Sequence, residues 1–305
     1  MKRRSAAPLA VLQAVARRVP LLAGLRIVDA LGRAYARVTL ARGRSLDPWR
    51  VEQFPTEVAE LFGPEAPAGA PRALIEARLA FVLSHWLVRR AIRTDPRRAA
   101  RALLPRIDVR GVQHLASALD RGRGAVVIST HFGFPHLIRM VLAERGIPMV
   151  TAVAVPPKSD RYVQVTGDGW SRARGLLRIR EELSRNGVAV VLPDYTSGTT
   201  VEVPLLRTTV ELGVGAFHIA RATGCALVPF FAAAERPARF GLQFSAALRS
   251  PRGSPREAIR EDMAEFAARY ADCVERYPAQ LPYRRRRARP AEEAREPGRG
   301  ASVSQ

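Results

Sequence analysis

From Leu9 to Arg42 apolar residues return at steps of three and four, through Leu9, Leu12, Val15, Val19, Leu22, Leu25, Val28 and Leu31, with arginines between them. That is the periodicity of an amphipathic helix. Arginine interrupts every apolar run here before it reaches the roughly 18 residues needed to cross a bilayer. Two readings are open: an interfacial helix whose arginines meet lipid phosphates, or a helical hairpin packed on the rest of the protein. Further helices are predicted over 49–62 and 72–93, joined by the Pro/Gly/Ala stretch 63–71. At Ile107 the pattern changes to short β-branched runs alternating with helical segments. Strands are predicted at 107–110, 125–130, 149–155, 188–192, 226–231 and 241–246, with helices at 113–120, 135–145, 172–185, 214–223 and 255–276. This is the grammar of an α/β fold with a central, mostly parallel or mixed sheet flanked by helices. The chain divides into a helical, membrane-associating region (1–105), an α/β domain (106–287) and a polar tail (288–305) whose Pro, Glu, Gly and Ser cannot build a core.

Charge narrows the partners. The 305 residues carry 49 Lys+Arg against 28 Asp+Glu, a formal net charge of +21. Lysine occurs only at Lys2 and Lys158, an arginine bias that genome base composition explains as readily as binding does. Seven arginines and three glutamates lie beyond position 283, so removing that tail takes away only +4 and leaves +17 on the rest. Nucleic acid, acidic lipid headgroups or an acidic carrier protein could answer such a surface. Zinc-finger spacing, an RNA-recognition aromatic motif and a helix-turn-helix are all missing, which argues against nucleic acid. Cys225 and Cys273 have neither redox nor metal-pair spacing and read as ordinary thiols. Residues 1–16 faintly imitate a signal peptide, but Gln13 and Arg17-Arg18 argue for a retained segment.

The stretch with chemistry is Gly124-Ala-Val-Val-Ile-Ser-Thr-His131-Phe-Gly-Phe-Pro-His136. A buried-looking strand delivers His131 at its C-terminal end, the edge where α/β sheets gather their sites. A neutral imidazole there can take the proton of an attacking hydroxyl; it can equally satisfy backbone at a strand end. His131 and His136 are poorly spaced for zinc, which wants a third ligand and a pair on one helical face. No metal or other cofactor is expected. His218 is open between site and core, and His85 and His114 read as structural.

Around that stretch the chain resembles the lysophospholipid acyltransferase superfamily, and within it the lauroyl/myristoyl acyltransferases of lipid A synthesis. The resemblance is carried in order by Val109-Arg-Gly-Val-Gln-His-Leu, Ser129-Thr-His-Phe-Gly, Gly187-Val-Ala-Val-Val-Leu-Pro-Asp194, Val203-Pro-Leu-Leu, Gly215-Ala-Phe-His-Ile-Ala-Arg-Ala-Thr-Gly224 and Leu227-Val-Pro-Phe-Phe231. Near the end, Arg276-Tyr-Pro-Ala-Gln-Leu-Pro-Tyr-Arg is similar to the family's Pro-Glu-Gln-Trp ending. It implies a glycerol-3-phosphate acyltransferase-like fold and transfer of a fatty acyl group to a hydroxyl, less readily an amine, of a lipid or glycolipid. The donor would be an acyl-carrier-protein or acyl-CoA thioester, the acceptor anionic, and the place the cytoplasmic face of the bacterial inner membrane, peripherally or monotopically. His131 would be the general base. Where the family has Asp or Glu five residues on, this chain has His136, which can fix a tautomer but cannot neutralise an imidazolium. Asp194, on the same expected sheet edge, is the preferred substitute carboxylate, with turn-capping as its other reading. The departure also admits a degraded member that binds lipid or carrier without acyl transfer.

Phe132 and Gly133 are expected beside the substrate, with Phe132, Phe134 and Phe230-Phe231 as acyl-groove candidates that could equally be core. Arg161, Arg172, Arg174, Arg178 and Arg207 are candidates for gripping headgroup phosphates, or else solvated helix positions.

Overall fold

The computed structural model describes residues 18–43, 46, 51, 54–63, 71–153, 162–165, 169–194, 199–248 and 254–282. Residues 9–17 of the amphipathic stretch, Arg161, the 64–70 linker and the tail lie outside them. Helices are numbered α1 (Leu21–Ala41), α2 (Phe54–Phe62), α3 (Pro71–Thr94), α4 (Pro96–Leu103), α5 (Val112–Leu119), α6 (Ile138–Glu144), α7 (Gly169–Ser184), α8 (Gly215–Thr223) and α9 (Pro255–Arg276). Strands are β1 (Ile107–Arg110), β2 (Ala125–Ile128), β3 (Met149–Val153), β4 (Tyr162–Gln164), β5 (Val188–Val191), β6 (Thr200–Leu205), β7 (Thr208–Gly213), β8 (Ala226–Arg236) and β9 (Arg239–Phe244).

Seven strands form one sheet in the order β1-β9-β8-β2-β5-β3-β4. β8, β2, β5, β3 and β4 are mutually parallel, whereas β9 turns back antiparallel on β8 and pairs in parallel with β1. The sheet is therefore mixed at one end and parallel through its centre. Central β2 is buried at every position, as a strand covered on both faces must be. Its side chains alternate between two cores: Ala125 and Val127 face α1, α3, α5 and α6, while Val126 and Ile128 face α2, α7, α8 and α9.

The N-terminal helices belong to this body. α1 buries Gly24, Leu25, Val28, Gly32, Ala36 and Thr39 in one stripe. A Cβ on Gly32 would stand 3.0 Å from the Cα of Ala80, so a small residue is what lets α1 cross α3 closely. Arg37 then clamps Glu76 through two hydrogen bonds of 3.1 and 2.8 Å. The described part of the amphipathic stretch thus packs as the hairpin reading has it. It also leaves Ile27, Leu31, Tyr35 and Val38 exposed along another side. No helix among the described residues is long and apolar enough to cross a membrane.

Four elements went unpredicted, one helix and three strands. α4 starts at an Asp95 cap that accepts from the Arg98 amide, with Pro96 in its first turn, a start signal with little apolar pattern behind it. β4 is only three residues long. The β6–β7 hairpin contains Pro204 and turns through Leu206 at φ 54°, without the Gly or Asn that announces such a turn.

Candidate active site

Register brings the site together. β2 and β5 pair in parallel with Ile128 opposite Val191, and the Ser129 amide continues the ladder to the Val191 carbonyl at 3.2 Å. Three residues beyond each of those partners stand His131 and Asp194, 63 apart in sequence and level at the C-terminal edge. The Asp194 carboxylate holds the histidine twice: Oδ2 accepts the His131 backbone N–H at 2.7 Å, and Oδ1 lies 3.0 Å from Nδ1. A carboxylate can only accept, so Nδ1 carries the proton and Nε2 is left with its lone pair. The His131 side chain is 48% exposed and Asp194 only 11%. The imidazole is therefore half open at the sheet edge while its carboxylate partner is shielded.

Burial by itself would lower the His131 pKa, but the hydrogen bond and charge of Asp194 outweigh it and hold the imidazole above its ordinary value, with Arg89 pulling the other way. His136 is in a different setting. Burial, then the nearby His85, Arg89, Arg139 and Arg93, press its pKa well below the usual range. Its ring lies 5.2 Å from that of His85 and 6.0 Å from Phe134, and its Nε2 is sealed from solvent and hydrogen-bonds to nothing among the described residues. A neutral ring packed this way cannot balance the charge of an imidazolium at His131. The place of the missing carboxylate is filled geometrically by Asp194, from the neighbouring strand.

The loop carrying His131 is pinned from three sides. Phe132 is fully buried in one core against Tyr270, and Phe134 in the other against Phe81, His85 and Phe240. Between them Gly133 sits at φ 57°, where a Cβ would fall 2.1 Å from the Ala232 carbonyl oxygen. Only glycine fits that approach. The Phe134 amide donates to the same carbonyl at 2.7 Å. Phe132 is thus an anchor in the core, where no substrate reaches it directly, and Gly133 is a backbone requirement. Phe230 and Phe231 are buried too, the latter stacked on Tyr270.

Sequence reading missed Gln280, Arg78 and Arg89. The Gln280 carbonyl accepts from Gly133 N at 3.0 Å, while its side-chain amide bridges the Ala234 amide and carbonyl at 2.9 and 2.7 Å. This is the physical content of the Pro-Ala-Gln-Leu ending, already visible as a motif. Buried Arg78 donates to the carbonyls of Ala279 and Leu281 with its guanidinium 4.6 Å above the Phe54 ring, tying α3 to that ending. His85, Arg89 and Arg93 follow one another at four-residue steps on α3, so one face carries them all. His85 touches His136, burial holds its pKa down at about 3, and the Arg89 charge is felt by His131, His85 and His136 alike. No local pattern could have singled out Arg89, because its neighbours come from the distant β2–α6 segment.

The other expected residues scatter. Arg172 and Arg174 are exposed on the first turns of α7, which begins at the same sheet edge three strand spacings from β2, about 14 Å. Arg178 pairs with Glu181 at 3.1 Å on the same helix. Arg207 stands at the tip of the β6–β7 hairpin against Gly63, its amide bonded to the Leu61 carbonyl. The other end of that hairpin is what meets Pro193, beside Asp194, through Gly213 at 2.7 Å. Six residues of strand, about 20 Å, separate Arg207 from that end of the hairpin. His218 is on the exposed side of α8. Among the described residues no group of three or more His, Cys, Asp and Glu is placed to hold a metal.

A phosphatidylinositol mannoside acyltransferase of Mycolicibacterium smegmatis is 34% identical over 143 residues, covering 45% of this chain and 45% of that protein. The match spans under half the length of that curated relative. Among solved structures, the 1-acyl-sn-glycerophosphate acyltransferase PlsC of Thermotoga maritima aligns with 13% identity and a TM-score of 0.38, over 81% of this chain and 97% of the other. The profile described as Bacterial lipid A biosynthesis acyltransferase matches residues 10–287, and with that extent the chain belongs to the bacterial lipid A biosynthesis acyltransferase family.

Proposed function

We propose that the protein transfers a fatty acyl group from an acyl-carrier-protein or acyl-CoA thioester to a hydroxyl of an anionic lipid or glycolipid. The observation that carries this is the His131–Asp194 pair, with Nδ1 engaged and the ring half open to solvent. As the acceptor hydroxyl attacks the thioester carbonyl, Nε2 takes its proton, and Asp194 stabilises the resulting imidazolium. The tetrahedral intermediate collapses by breaking the C–S bond, and the imidazolium returns the proton to the leaving thiolate. The Asp194 contact supports this reading over that of a degraded member, which rests on His136.

Among the described residues Arg89 is well placed to meet a phosphate on the acceptor, being exposed on α3 with its charge reaching His131. Charge-assisted contacts of this kind contribute about 1.5–3 kcal/mol. Arg89→Ala is therefore expected to raise KM for a phosphate-bearing acceptor by about tenfold to a hundredfold with little loss of kcat, and Arg89→Lys to recover part of it. Steady-state kinetics on paired acceptors with and without phosphate check this; an equal effect on both would remove Arg89 from headgroup recognition.

Action at a membrane surface, which we place at the cytoplasmic face of the inner membrane, is supported as to the surface alone by the exposed Ile27, Leu31, Tyr35 and Val38 on α1 and by the strongly basic chain. Mass spectrometry of cell lipids with and without the protein tests the function as a whole. A lipid that loses one acyl increment in its absence identifies product and chain length together. An unchanged lipid profile, with purified protein inert toward a broad acceptor panel, would leave only a binding role.

A further inference from the structure

We infer that the first turns of α7 form a second membrane-docking surface, inserting Trp170 and Leu177 among anionic phospholipid headgroups at the edge where His131 stands. This rests on the membrane-surface reading above but concerns a different face of the protein, since α7 packs in the core opposite to that of α1.

Three apolar side chains cluster there in the open. Trp170 is 84% exposed, Leu177 59% and Leu176 42%. Isolated exposed hydrophobic residues are ordinary, but three within two turns of one helix, including a nearly bare tryptophan, form a patch that water does not favour. Trp170 and Leu177 are seven residues apart, with Ala173 and Arg174 between them at helical spacing, so they share one stripe about 10 Å long. The opposite side of the helix is spoken for: Ile179 and Leu183 are in the core, and Gly175 lies so close to β4 that a Cβ would meet the Gln164 carbonyl oxygen.

The occupant follows from what surrounds the patch. α7 carries four arginines and two glutamates, a net +2; Arg174 and Arg180 are exposed beside the apolar stripe, Glu181 on the same side is paired with Arg178, and Arg172 is exposed in the first turn. Apolar and aromatic side chains flanked by arginine match the layered chemistry of a bilayer surface, where acyl chains begin beneath a plane of phosphates and tryptophan favours the boundary. An acidic carrier protein would answer the arginines but leave Trp170 and Leu177 uncovered, so the lipid surface is the better fit.

Topology gives the patch its purpose. β4 runs parallel to β3, β5 and β2, so the start of α7 just past Gln164 is at the same sheet edge as Asp194 and His131. Seating Trp170 in the headgroup layer turns the His131 edge toward the lipid, and an acceptor reaches Nε2 without leaving the bilayer surface.

The test is sedimentation of the full chain with vesicles of phosphatidylglycerol and phosphatidylethanolamine, comparing wild type, the Trp170→Ala/Leu177→Ala double variant, and Leu31→Asp on α1. The double variant is expected to lose at least about tenfold in partitioning, with circular dichroism unchanged, because both side chains are on the surface. Tryptophan emission of the wild type is expected to shift to the blue on vesicle addition, and that shift to shrink in the single variant Trp170→Phe. Partitioning of the double variant within about twofold of wild type, while Leu31→Asp falls, would overturn the α7 surface and leave the α1 reading standing. Wild type that ignores the vesicles would remove both. A double variant that loses binding only to an acidic acyl carrier protein would overturn the lipid assignment in favour of that protein.

Discussion

His131→Ala is expected to lower acyl transfer by about 10²–10⁴-fold, the range a positioned general base contributes, with the folded state retained. Its ring is half exposed and fills no core space, so its removal leaves no cavity to destabilise the sheet. The informative companion is His136→Phe. His136 packs as a neutral aromatic against His85 and Phe134 and makes no hydrogen bond through its buried Nε2, so a ring of similar size is expected to keep activity within several-fold of wild type. Single-turnover acyl transfer on the purified variants separates the two positions. Comparable losses at both would return His136 to the machinery.

Asp194→Asn is expected to have the second-largest effect, about 10²–10⁴-fold in kcat, because the amide cannot neutralise the imidazolium and can hold the ring in the wrong tautomer. The pH profile gives a sharper signature. In the native protein burial pulls the His131 pKa down, but Asp194 prevails and holds it above its ordinary value. Neutral base accumulates only as the pH rises through that raised value, so the acid limb of kcat/KM is at correspondingly higher pH. Removing the carboxylate charge leaves burial and Arg89, which both act downward. The variant's acid limb should therefore move to lower pH while its plateau falls, two changes that a merely structural aspartate would not couple. An acid limb that stays in place would mean that the titrating group is not His131 held by Asp194.

The parts of this architecture written locally were legible. β2 and β5 read as strands because continuous Val, Ile and Ala runs are what two-sided burial demands, and His131 and Asp194 follow them at equal offsets, which parallel register turns into contact. The hairpin β6–β7 has the alternation of a strand pair, but Pro204 and a positive-φ Leu206 hide it from turn rules. The α1 helix was visible by period, yet period alone cannot say what covers an apolar stripe. Gly32 against Ala80 and Arg37 on Glu76 decide that one side of it is internal. Arg89 and Arg78 were invisible for the same reason, since an arginine on a helix shows its meaning only through chain far away in sequence. The position of Arg207 was hidden because a motif fixes nearness along the chain alone, and a six-residue strand separates it from the end of the hairpin beside Pro193.

The pairing of His131 with Asp194 across β2 and β5 also makes chemical competence a report on folding. A histidine and carboxylate five residues apart can find each other in a short fragment. Here the partners meet only once two separately formed strands have docked side by side, without a slip of even one residue. On the proposed mechanism, a half-folded copy therefore carries an imidazole without its carboxylate and stays inactive until the sheet is whole.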